Sequence, residues 1–528
     1  MGKYLLKRIL FSIFSLVVVI AVVMILVYTG IKRNVIFQQD DVWTKKSNND
    51  RTMYEYTMWQ KYSYLDYVEY GSFLREKYTA LYGDDYANHD DFKEDVAAIQ
   101  SVEKAETNAS VQEFKAKYSN RKIIYLEPIK FSNGKLKPGG KGYLFAVHEK
   151  SVFYRLWEYF SHLISFEHKN MVKDENLTER YIRFEKDPYS GLFAIVGSGT
   201  QHKYLLYFDG RFPFIHQNFM HFNFGTSYTT YRGQEITTVI TTPTGDLNEK
   251  MQIYPVNLAA GGPKVSTAIN FHSLQYNLSG VVNPTDKEMF PDNYTVYSYH
   301  QKHFSRLENS FIIGLISVFL SYALGVSIGI LLSRFKDKLI DKLGNAYIVF
   351  VAAVPSLAYI FLVAAIGQKG FKLPYKYANA DPLILAYIMP TISLSLGSIG
   401  GLMKWTRRFM IDQVNSDYVK FARAEGMSER EIYNTHISRN AIIFLVQGIP
   451  SSILFCLTGA LMTERVYAIP GVGGLLIEAI GKHDNAVIVA MTGLITAISI
   501  TGLILGDLLL AAYDPRISLS TDSGGGRK

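Results

Sequence analysis

The chain has 528 residues, 48% of them apolar, and a net charge of +8, and this length exceeds one ordinary soluble domain. Residues 32–306 carry nearly equal numbers of acidic and basic side chains, so the excess positive charge lies in and beside the apolar runs at the two ends. Such a distribution is typical of membrane topology and excludes nucleic acid as an expected partner. The single cysteine, Cys456, excludes an intramolecular disulfide.

Six uncharged runs are long enough to cross the hydrocarbon core, which takes about 20 residues of helix. They are 9–31, 310–333, 343–368, 382–403, 440–463 and 485–506. The first run follows basic residues, as a signal peptide does, but its apolar core is longer than usual and no small-residue cleavage site follows it. We therefore predict six transmembrane helices, with the first retained. Pro355, Pro390 and Pro450 lie inside these runs, where a missing N–H and a ring clash predict kinks.

Basic residues in the short connecting segments predict the direction of the chain. With the N-terminus inside, the cytoplasmic segments hold about seventeen and the two short outer loops about five. We therefore predict a cell-membrane protein with both termini in the cytoplasm. Its parts are the N-terminus with span one (1–31), an inserted extracellular domain (32–305), a permease domain with spans two to six (306–513), a cytoplasmic loop within it (404–439) and a cytoplasmic tail (514–528).

The inserted domain is predicted to be α+β. Residues 50–120 have helical character, 121–150 contain the turn signals of a hairpin, and apolar spacing predicts a helix in 151–168. Strand patterns occur at 203–208, 235–242 and 251–256. Six tyrosines between Tyr54 and Tyr70 are interpreted as packing residues, and a peptide-binding surface is the alternative.

No recognised catalytic motif occurs in the chain. H-E-x-x-H and G-x-S-x-G are absent. Residues 134–141 are rich in glycine and lysine but lack the Walker A spacing and its Ser or Thr. The S-x-x-K match at 101–104 lacks the accompanying S-D-N and K-T-G. We therefore predict that the chain is not an enzyme, with no catalytic residue, no metal site and no cofactor of its own.

The loop between spans four and five has the pattern of a helix, a glycine and a second helix. Asp417 is expected to cap the first helix, and Gly426 to supply the left-handed residue that ends it. Ser428 and Glu431 are expected to form a capping box for the second helix. The loop is either an ordinary amphipathic segment at the interface or a coupling element that docks on another protein. If the loop is a coupling element, the residues that would serve coupling are Asp417, Phe421, Ala422, Ala424, Gly426, Ser428 and Glu431.

This loop resembles the EAA loop of binding-protein-dependent ABC importers, whose glycine falls at Gly426. Further similar stretches are Y-L-L-K-R-I at 4–9, N-F-G-T-S-Y at 223–228, R-N-A at 439–441, A-I-P-G-V-G at 468–473 and D-P-R-I at 514–517. Together they resemble the oligopeptide/dipeptide/nickel permease family. The large insertion resembles that of the Ami-type first oligopeptide permease subunit of streptococci and lactococci.

The resemblance implies the helical membrane fold of a type I ABC importer permease. It implies that the chain forms one half of a pore, and that a second homologous permease subunit forms the other half. Two cytoplasmic ATPase subunits would bind ATP and magnesium, a lipid-anchored peptide-binding protein would deliver the cargo, and membrane lipid would surround the spans. The implied cargo is oligopeptide, and the implied movement passes through the loop at Gly426.

The outer loop after span five supplies the remaining candidate residues. Glu464, Pro470, Gly471 and Gly473 are candidates for the outer part of the pathway. Relatives usually have Glu-Thr where this chain has Glu464-Arg465, so a capped helix end with a local ion pair is the alternative for Glu464. Nickel is the rival cargo, although the spans contain methionines and no histidine. A peptide-sensing receptor and a membrane-anchored surface hydrolase are the alternatives from other classes.

Overall fold

A computed structural model describes residues 2–38, 40–209, 214–242, 253–255, 264–266, 269–278, 293–299, 304–456 and 460–513. Within these ranges, four helices are long and apolar enough to cross a membrane: Gly2–Gly30, Arg306–Arg334, Leu385–Val414 and Asn485–Tyr513. They correspond to the predicted spans one, two, four and six. The predicted tail at 514–528 lies outside the described residues.

Spans three and five are bent pairs of helices. Leu339–Ala353 and Ser356–Phe371 meet at 110° beside Pro355, whose ring and missing N–H cannot continue a helix. Glu429–Val446 and Gly448–Phe455 meet at 42°. The predicted number of six spans therefore holds when each bent pair counts as one span. The short helices of the permease domain are Asp417–Ala424, Leu461–Val466 and Val472–Gly481.

The inserted domain is α+β, as predicted, and its first half contains a three-stranded sheet. Strands β1 (Leu65–Glu69) and β2 (Lys122–Leu126) both pair antiparallel with the central strand β3 (Tyr143–Glu149). The β2–β3 pair is the hairpin predicted for 121–150. The helices of this half are Asp41–Lys45, Asn48–Lys61, Tyr70–Tyr82, Asp90–Ala98, Val102–Thr107 and Ala109–Lys117.

The second half of the inserted domain follows the helix Val152–His162, which confirms the first part of the prediction for 151–168. The last part of that prediction is wrong, because residues Ile164–Phe166 form a strand. The strands of this half are β4 (Ile164–Phe166), β5 (Tyr181–Lys186), β6 (Phe193–Ser198), β7 (Tyr204–Phe208), β8 (Ile215–Gln217), β9 (Met220–Phe222), β10 (Ile253–Pro255), β11 (Lys264–Ser266), β12 (Ile269–Tyr276) and β13 (Tyr294–Tyr299). The main sheet has the antiparallel order β5–β6–β7–β8, and further antiparallel pairs are β4–β9, β10–β11 and β12–β13.

One of the three predicted strands is wrong. Residues 235–242 contain the short helix Ile236–Thr241, in which Ile236, Val239 and Ile240 are buried at the i, i+3, i+4 spacing of a helix. The β-branched run has a high strand propensity, and burial of one helical face overrides that preference. Strands β7 and β10 confirm the other two predictions within the described residues.

A hydrophobic core joins the inserted domain to the permease domain. It contains Tyr62 and Tyr64 from the inserted domain together with Val472 and Val487 from the permease domain. The six tyrosines between 54 and 70 are all buried or half-buried, which confirms their interpretation as packing residues. The inserted domain is therefore packed on the membrane part as well as tethered to it.

Candidate functional site

The loop between spans four and five contains a helix that ends in a glycine turn, as predicted. Helix Asp417–Ala424 stops two residues before Gly426, which has a φ of +81°. The Gly426 N–H donates to the Arg423 carbonyl at 3.1 Å, and the Met427 N–H donates to the Ala422 carbonyl at 3.2 Å. These two bonds are the Schellman arrangement, which satisfies the last helical carbonyls and favours glycine at the left-handed position.

The predicted N-cap of this helix is wrong by one residue. Ser416 occupies the cap position with extended backbone, and Asp417 is the first residue of the helix. The Asp417 carboxylate accepts a hydrogen bond from the Lys420 ammonium at 2.8 Å, and a carboxylate in the first turn is favoured by the helix dipole. Serine and aspartate are both favoured at the N-cap position. The sequence therefore indicates that a helix starts here but not which of the two residues caps it.

The second loop helix starts at Ser428, whose Oγ accepts a hydrogen bond from the Glu431 N–H at 3.3 Å. This bond is the serine half of the predicted capping box. Glu429 also binds Arg423 across the glycine turn, with its two carboxylate oxygens 2.7 and 3.3 Å from the guanidinium nitrogens. Sequence reasoning missed this ion pair, although opposite charges on either side of a predicted turn were a usable signal.

The second loop helix continues into span five without a break. Glu429–Glu431 is followed by the π-helical segment Ile432–Ile437 and then by Ser438–Val446. Ile432 and Ile437 are fully buried in one cluster with Met410 of span four and Val419 of the first loop helix. Close-packed side chains of this kind transmit displacement, so the loop and spans four and five are mechanically linked.

The first loop helix has a buried face and an exposed face. Val419 and Ala422 are buried against the spans, whereas the Phe421 side chain is 65% exposed. Asp417 and Ala424 lie on the Phe421 face at helical spacing and are also exposed. An exposed aromatic side chain on a short, well-anchored helix is a feature of protein–protein interfaces. Ala422 therefore packs against the spans, and Phe421 leaves an aromatic side chain exposed to solvent.

A buried ion pair lies at the base of the loop. Arg407 of span four binds Asp341 of span three bidentately, with Nε to Oδ1 at 2.6 Å and the second contact at 2.7 Å. The Asp341 carboxylate also accepts from the Asn345 amide at 3.0 Å, and the residue is 2% exposed. Removing one partner of such a pair leaves an unpaired buried charge at a cost of about 3–5 kcal/mol. Sequence reasoning counted Arg407 as a topology charge and missed this pairing.

Glu464 lies in the short helix Leu461–Val466, which follows span five, and is 1% exposed. Its carboxylate accepts hydrogen bonds from the Ser310 hydroxyl at 2.7 Å, the Ala460 N–H at 3.0 Å and the Gly474 N–H at 2.9 Å. Arg465 is exposed, and no salt bridge joins it to Glu464 among the described residues. The local ion pair considered for Glu464 is therefore wrong, and the carboxylate instead binds span two and the outer loop.

The glycines beside Glu464 make room for its carboxylate. A Cβ at Gly471 would stand 2.2 Å from Glu464 Cδ, and one at Gly473 would stand 3.1 Å from Oε2. The Pro470 carbonyl accepts a hydrogen bond from the Asn309 amide at 2.9 Å. The four outer candidates thus lie together. With their span-two partners they form one packed unit, the outer anchor, consisting of Asn309, Ser310, Glu464, Pro470, Gly471 and Gly473.

A third buried carboxylate, Asp484, binds the inserted domain to the start of span six. Its Oδ2 accepts from the Ser227 hydroxyl at 2.6 Å and from the N–H groups of Tyr228, Thr229 and Thr230 at 3.0, 3.2 and 3.0 Å. Consecutive backbone N–H groups around one anion form a nest. Sequence reasoning found the 223–228 stretch but not its partner, which lies more than 250 residues away.

The comparisons with known proteins agree with this geometry. The family described as binding-protein-dependent transport system inner membrane component matches residues 325–519. The chain is 33% identical to the oligopeptide transport system permease protein AmiC of Streptococcus pneumoniae, over 99% of this chain and 100% of that protein. It is 32% identical to the dipeptide transport system permease protein DppB of Lactococcus lactis, over 40% of this chain and 70% of that protein. The full-length match shows that the large insertion is shared with a relative.

Proposed function

Because this chain belongs to the family of binding-protein-dependent transport system inner membrane components, we propose that it is the permease subunit of an ABC importer of oligopeptides. The observation that carries the proposal is the helix–glycine–helix loop, which presents Phe421 outward and continues into span five. Full-length similarity to a protein named as an oligopeptide permease supports the cargo class.

In this proposal the chain forms half of a pore, and a second homologous permease subunit forms the other half. The spans differ in how far the rest of the chain buries them, which supports a central position for span four and a peripheral position for span one. In the most apolar segment of each span, 50% of span four is buried within the chain and 11% of span one. Span one therefore offers its surface to membrane lipid, whose tails are as apolar as its side chains.

Coupling to ATP hydrolysis passes through the loop. Two cytoplasmic ATPase subunits hold ATP and magnesium, and one of them docks on the face that carries Phe421. Movement of the docked ATPase displaces the loop as a rigid body. The buried cluster around Val419 and Ile432 carries that displacement to span five, and the Asp341–Arg407 pair carries it to span three.

We place both termini and the loop at 404–439 in the cytoplasm and residues 32–305 outside the cell. An ion pair between Arg8 and Asp507 supports a shared side for the start of span one and the end of span six. The excess of basic residues in the short segments on that side supports the cytoplasm. A lipid-anchored peptide-binding protein then meets the inserted domain and the outer anchor.

The outer anchor positions the outer mouth of the pathway. Gly471 and Gly473 lie against the Glu464 carboxylate and leave no room for cargo beside it. The carboxylate accepts a hydrogen bond from Ser310 and so fixes the loop after span five to span two. Peptides of varied sequence share only their backbone donors and acceptors, and a solvated, unspecific cavity suits them better than one buried charge. We therefore assign the outer anchor to positioning, with contact between peptide and protein along spans three to six.

Uptake of labelled peptide tests the cargo. Cells that lack this chain are expected to lose binding-protein-dependent uptake of a labelled oligopeptide library and to regain it on expression of the wild-type chain. Uptake of ⁶³Ni²⁺ by the same cells serves as the control and is expected to stay unchanged. Undiminished peptide uptake without the chain, or loss of nickel uptake in place of peptide uptake, would contradict the proposed cargo.

A further inference from the structure

Two histidines and one glutamate converge in the second half of the inserted domain, away from the coupling loop and the outer anchor. Glu167 follows β4, His202 precedes β7, and His221 lies in β9. One ligand atom from each residue, a ring nitrogen or a carboxylate oxygen, lies within 4.8 Å of the other two. Within the described ranges this is the group with the residue types and spacing of a metal site.

The carboxylate is the centre of the cluster. Glu167 Oε1 lies 2.5 Å from His202 Nδ1 and 2.9 Å from His221 Nε2, and its Oε2 accepts the His202 N–H at 2.9 Å. The Glu167 side chain is fully buried. A buried carboxylate thus faces two imidazole nitrogens.

The backbone holds these three side chains in place. β4 and β9 pair antiparallel with Ser165 opposite His221, which sets His221 beside Glu167. The Glu167 N–H donates to the Phe219 carbonyl at 2.8 Å. This bond continues the β4–β9 pairing to Glu167 and fixes its backbone beside the strand that carries His221. The His202 and His221 ring planes meet at 27°, with centroids 5.3 Å apart. Both rings contact the same carboxylate oxygen, Glu167 Oε1.

Gln275 of β12 supplies an outer partner for His202. Its side-chain nitrogen Nε2 lies 2.7 Å from His202 Nε2. Rotating the amide by 180° would place its oxygen there instead, because the two ends of an amide have nearly the same shape. With the oxygen facing the ring, Nε2 carries the proton and the Nδ1 lone pair is free for a metal. Metal-binding histidines usually donate their second N–H to an oxygen in this way.

We propose that Glu167, His202 and His221 bind a Zn²⁺ ion. Two imidazoles and one carboxylate are ligands that zinc accepts at about 2.0–2.2 Å, with a water completing a tetrahedron. The ion would take the position between the carboxylate and the two ring nitrogens and would displace any proton held there. His221 has a 35% exposed side chain, which gives the ion an entry path and leaves room for the water. This inference is independent of the proposed cargo.

The ion would bind the second half of the inserted domain together. Its ligands come from the β4–β9 pair and from the turn before β7, and Gln275 adds β12. A metal that binds the folded chain and not the unfolded chain adds to folding stability. The role is structural, because the cluster lies in the inserted domain and not in the spans that would carry cargo.

Zinc binding by the purified full chain tests the site, with a purification tag that contains no histidine. After equilibration with ZnCl₂ and removal of free ion, the wild-type chain is expected to retain about one Zn²⁺ and to unfold at a higher temperature than the chelator-treated chain. His221→Gln is expected to lose the retained ion and its thermal effect. His148→Gln, which changes an exposed histidine on β3, is the matched control and is expected to bind as the wild type does.

Two further measurements do not depend on the folding of His221→Gln. Co²⁺ in the wild-type chain is expected to give the strong visible absorption of a tetrahedral site, and Zn²⁺ is expected to remove it. Gln275→Ala is expected to weaken Zn²⁺ binding by roughly 10- to 100-fold while keeping the stoichiometry. Failure of the wild-type chain to retain Zn²⁺, or equal retention by His221→Gln, would overturn the proposal.

Discussion

Replacing Phe421 with aspartate is expected to reduce peptide uptake to the level of cells without the chain. Phe421 is 65% exposed, so the substitution removes little from the core of this subunit. Burial of a phenylalanine side chain at an interface contributes about 1.5–3 kcal/mol, and each 1.4 kcal/mol is a factor of ten in affinity. An aspartate there also has to be desolvated. We therefore expect ATPase affinity to fall by about 10- to 100-fold or more.

Copurification of ATPase subunits and peptide-stimulated ATP hydrolysis measure this effect. Phe131→Asp is the matched control, because Phe131 is also exposed, at 48%, but lies in the turn between β2 and β3 of the inserted domain. The control variant is expected to retain its ATPases and its uptake. Normal uptake with normal ATPase retention in a stably inserted Phe421→Asp variant would show that the exposed aromatic side chain does not dock.

Gly471→Ala is expected to destabilise the packing around Glu464. Gly471 has an extended φ of −119°, so an alanine fits the backbone, but its Cβ would stand 2.2 Å from Glu464 Cδ. The carboxylate then has to leave the hydroxyl and N–H groups that it binds. Overpacking costs about 1–3 kcal/mol, and each buried donor left unpaired costs a similar amount. We expect a lower unfolding temperature of the purified chain and reduced uptake.

A double-mutant cycle tests the cause of this loss. Glu464→Ala alone is expected to destabilise the chain, because the Ser310 hydroxyl and the Gly474 N–H lose their acceptor. In that background the cost of Gly471→Ala is expected to shrink, since the clashing carboxylate is gone. Gly481→Ala is the matched control, because a Cβ there meets nothing within 4 Å. Strict additivity of Gly471→Ala and Glu464→Ala would rule out the proposed clash.

The features that sequence predicted best are those set by local physics. Uncharged runs predicted the spans, because a chain that crosses a bilayer as a helix needs apolar side chains and satisfied backbone groups. Gly426 predicted the end of the first loop helix, because the left-handed position after a helix favours glycine. Pro355 gave the position of a bend but not its 110° size, which depends on how the two helices pack. The wrong strand prediction at 235–242 also comes from tertiary packing, because the strand-forming residues there are buried on one face of a helix.

The features that sequence missed are contacts between distant residues. Asp484 binds the 227–230 segment, and Arg407 binds Asp341, across separations that no local pattern reveals. Glu464 was recognised as a candidate from its position in the family motif, but its burial and its contact with Ser310 depend on the packing of span two. Glu167, His202 and His221 share no recognised motif spacing, and only the pairing of β4 with β9 brings them together.

Photo-crosslinking from position 421 tests whether this chain couples to an ATPase through its loop. A photoreactive phenylalanine analogue at Phe421, activated in membranes that contain the assembled importer, is expected to form a covalent adduct with an ATP-hydrolysing subunit. The yield is expected to change when ATP is added, because the docked subunit moves the loop. The same analogue at Phe131 is expected to give no such adduct. Absence of an ATPase adduct from position 421, or equal yields from both positions, would contradict coupling through this loop.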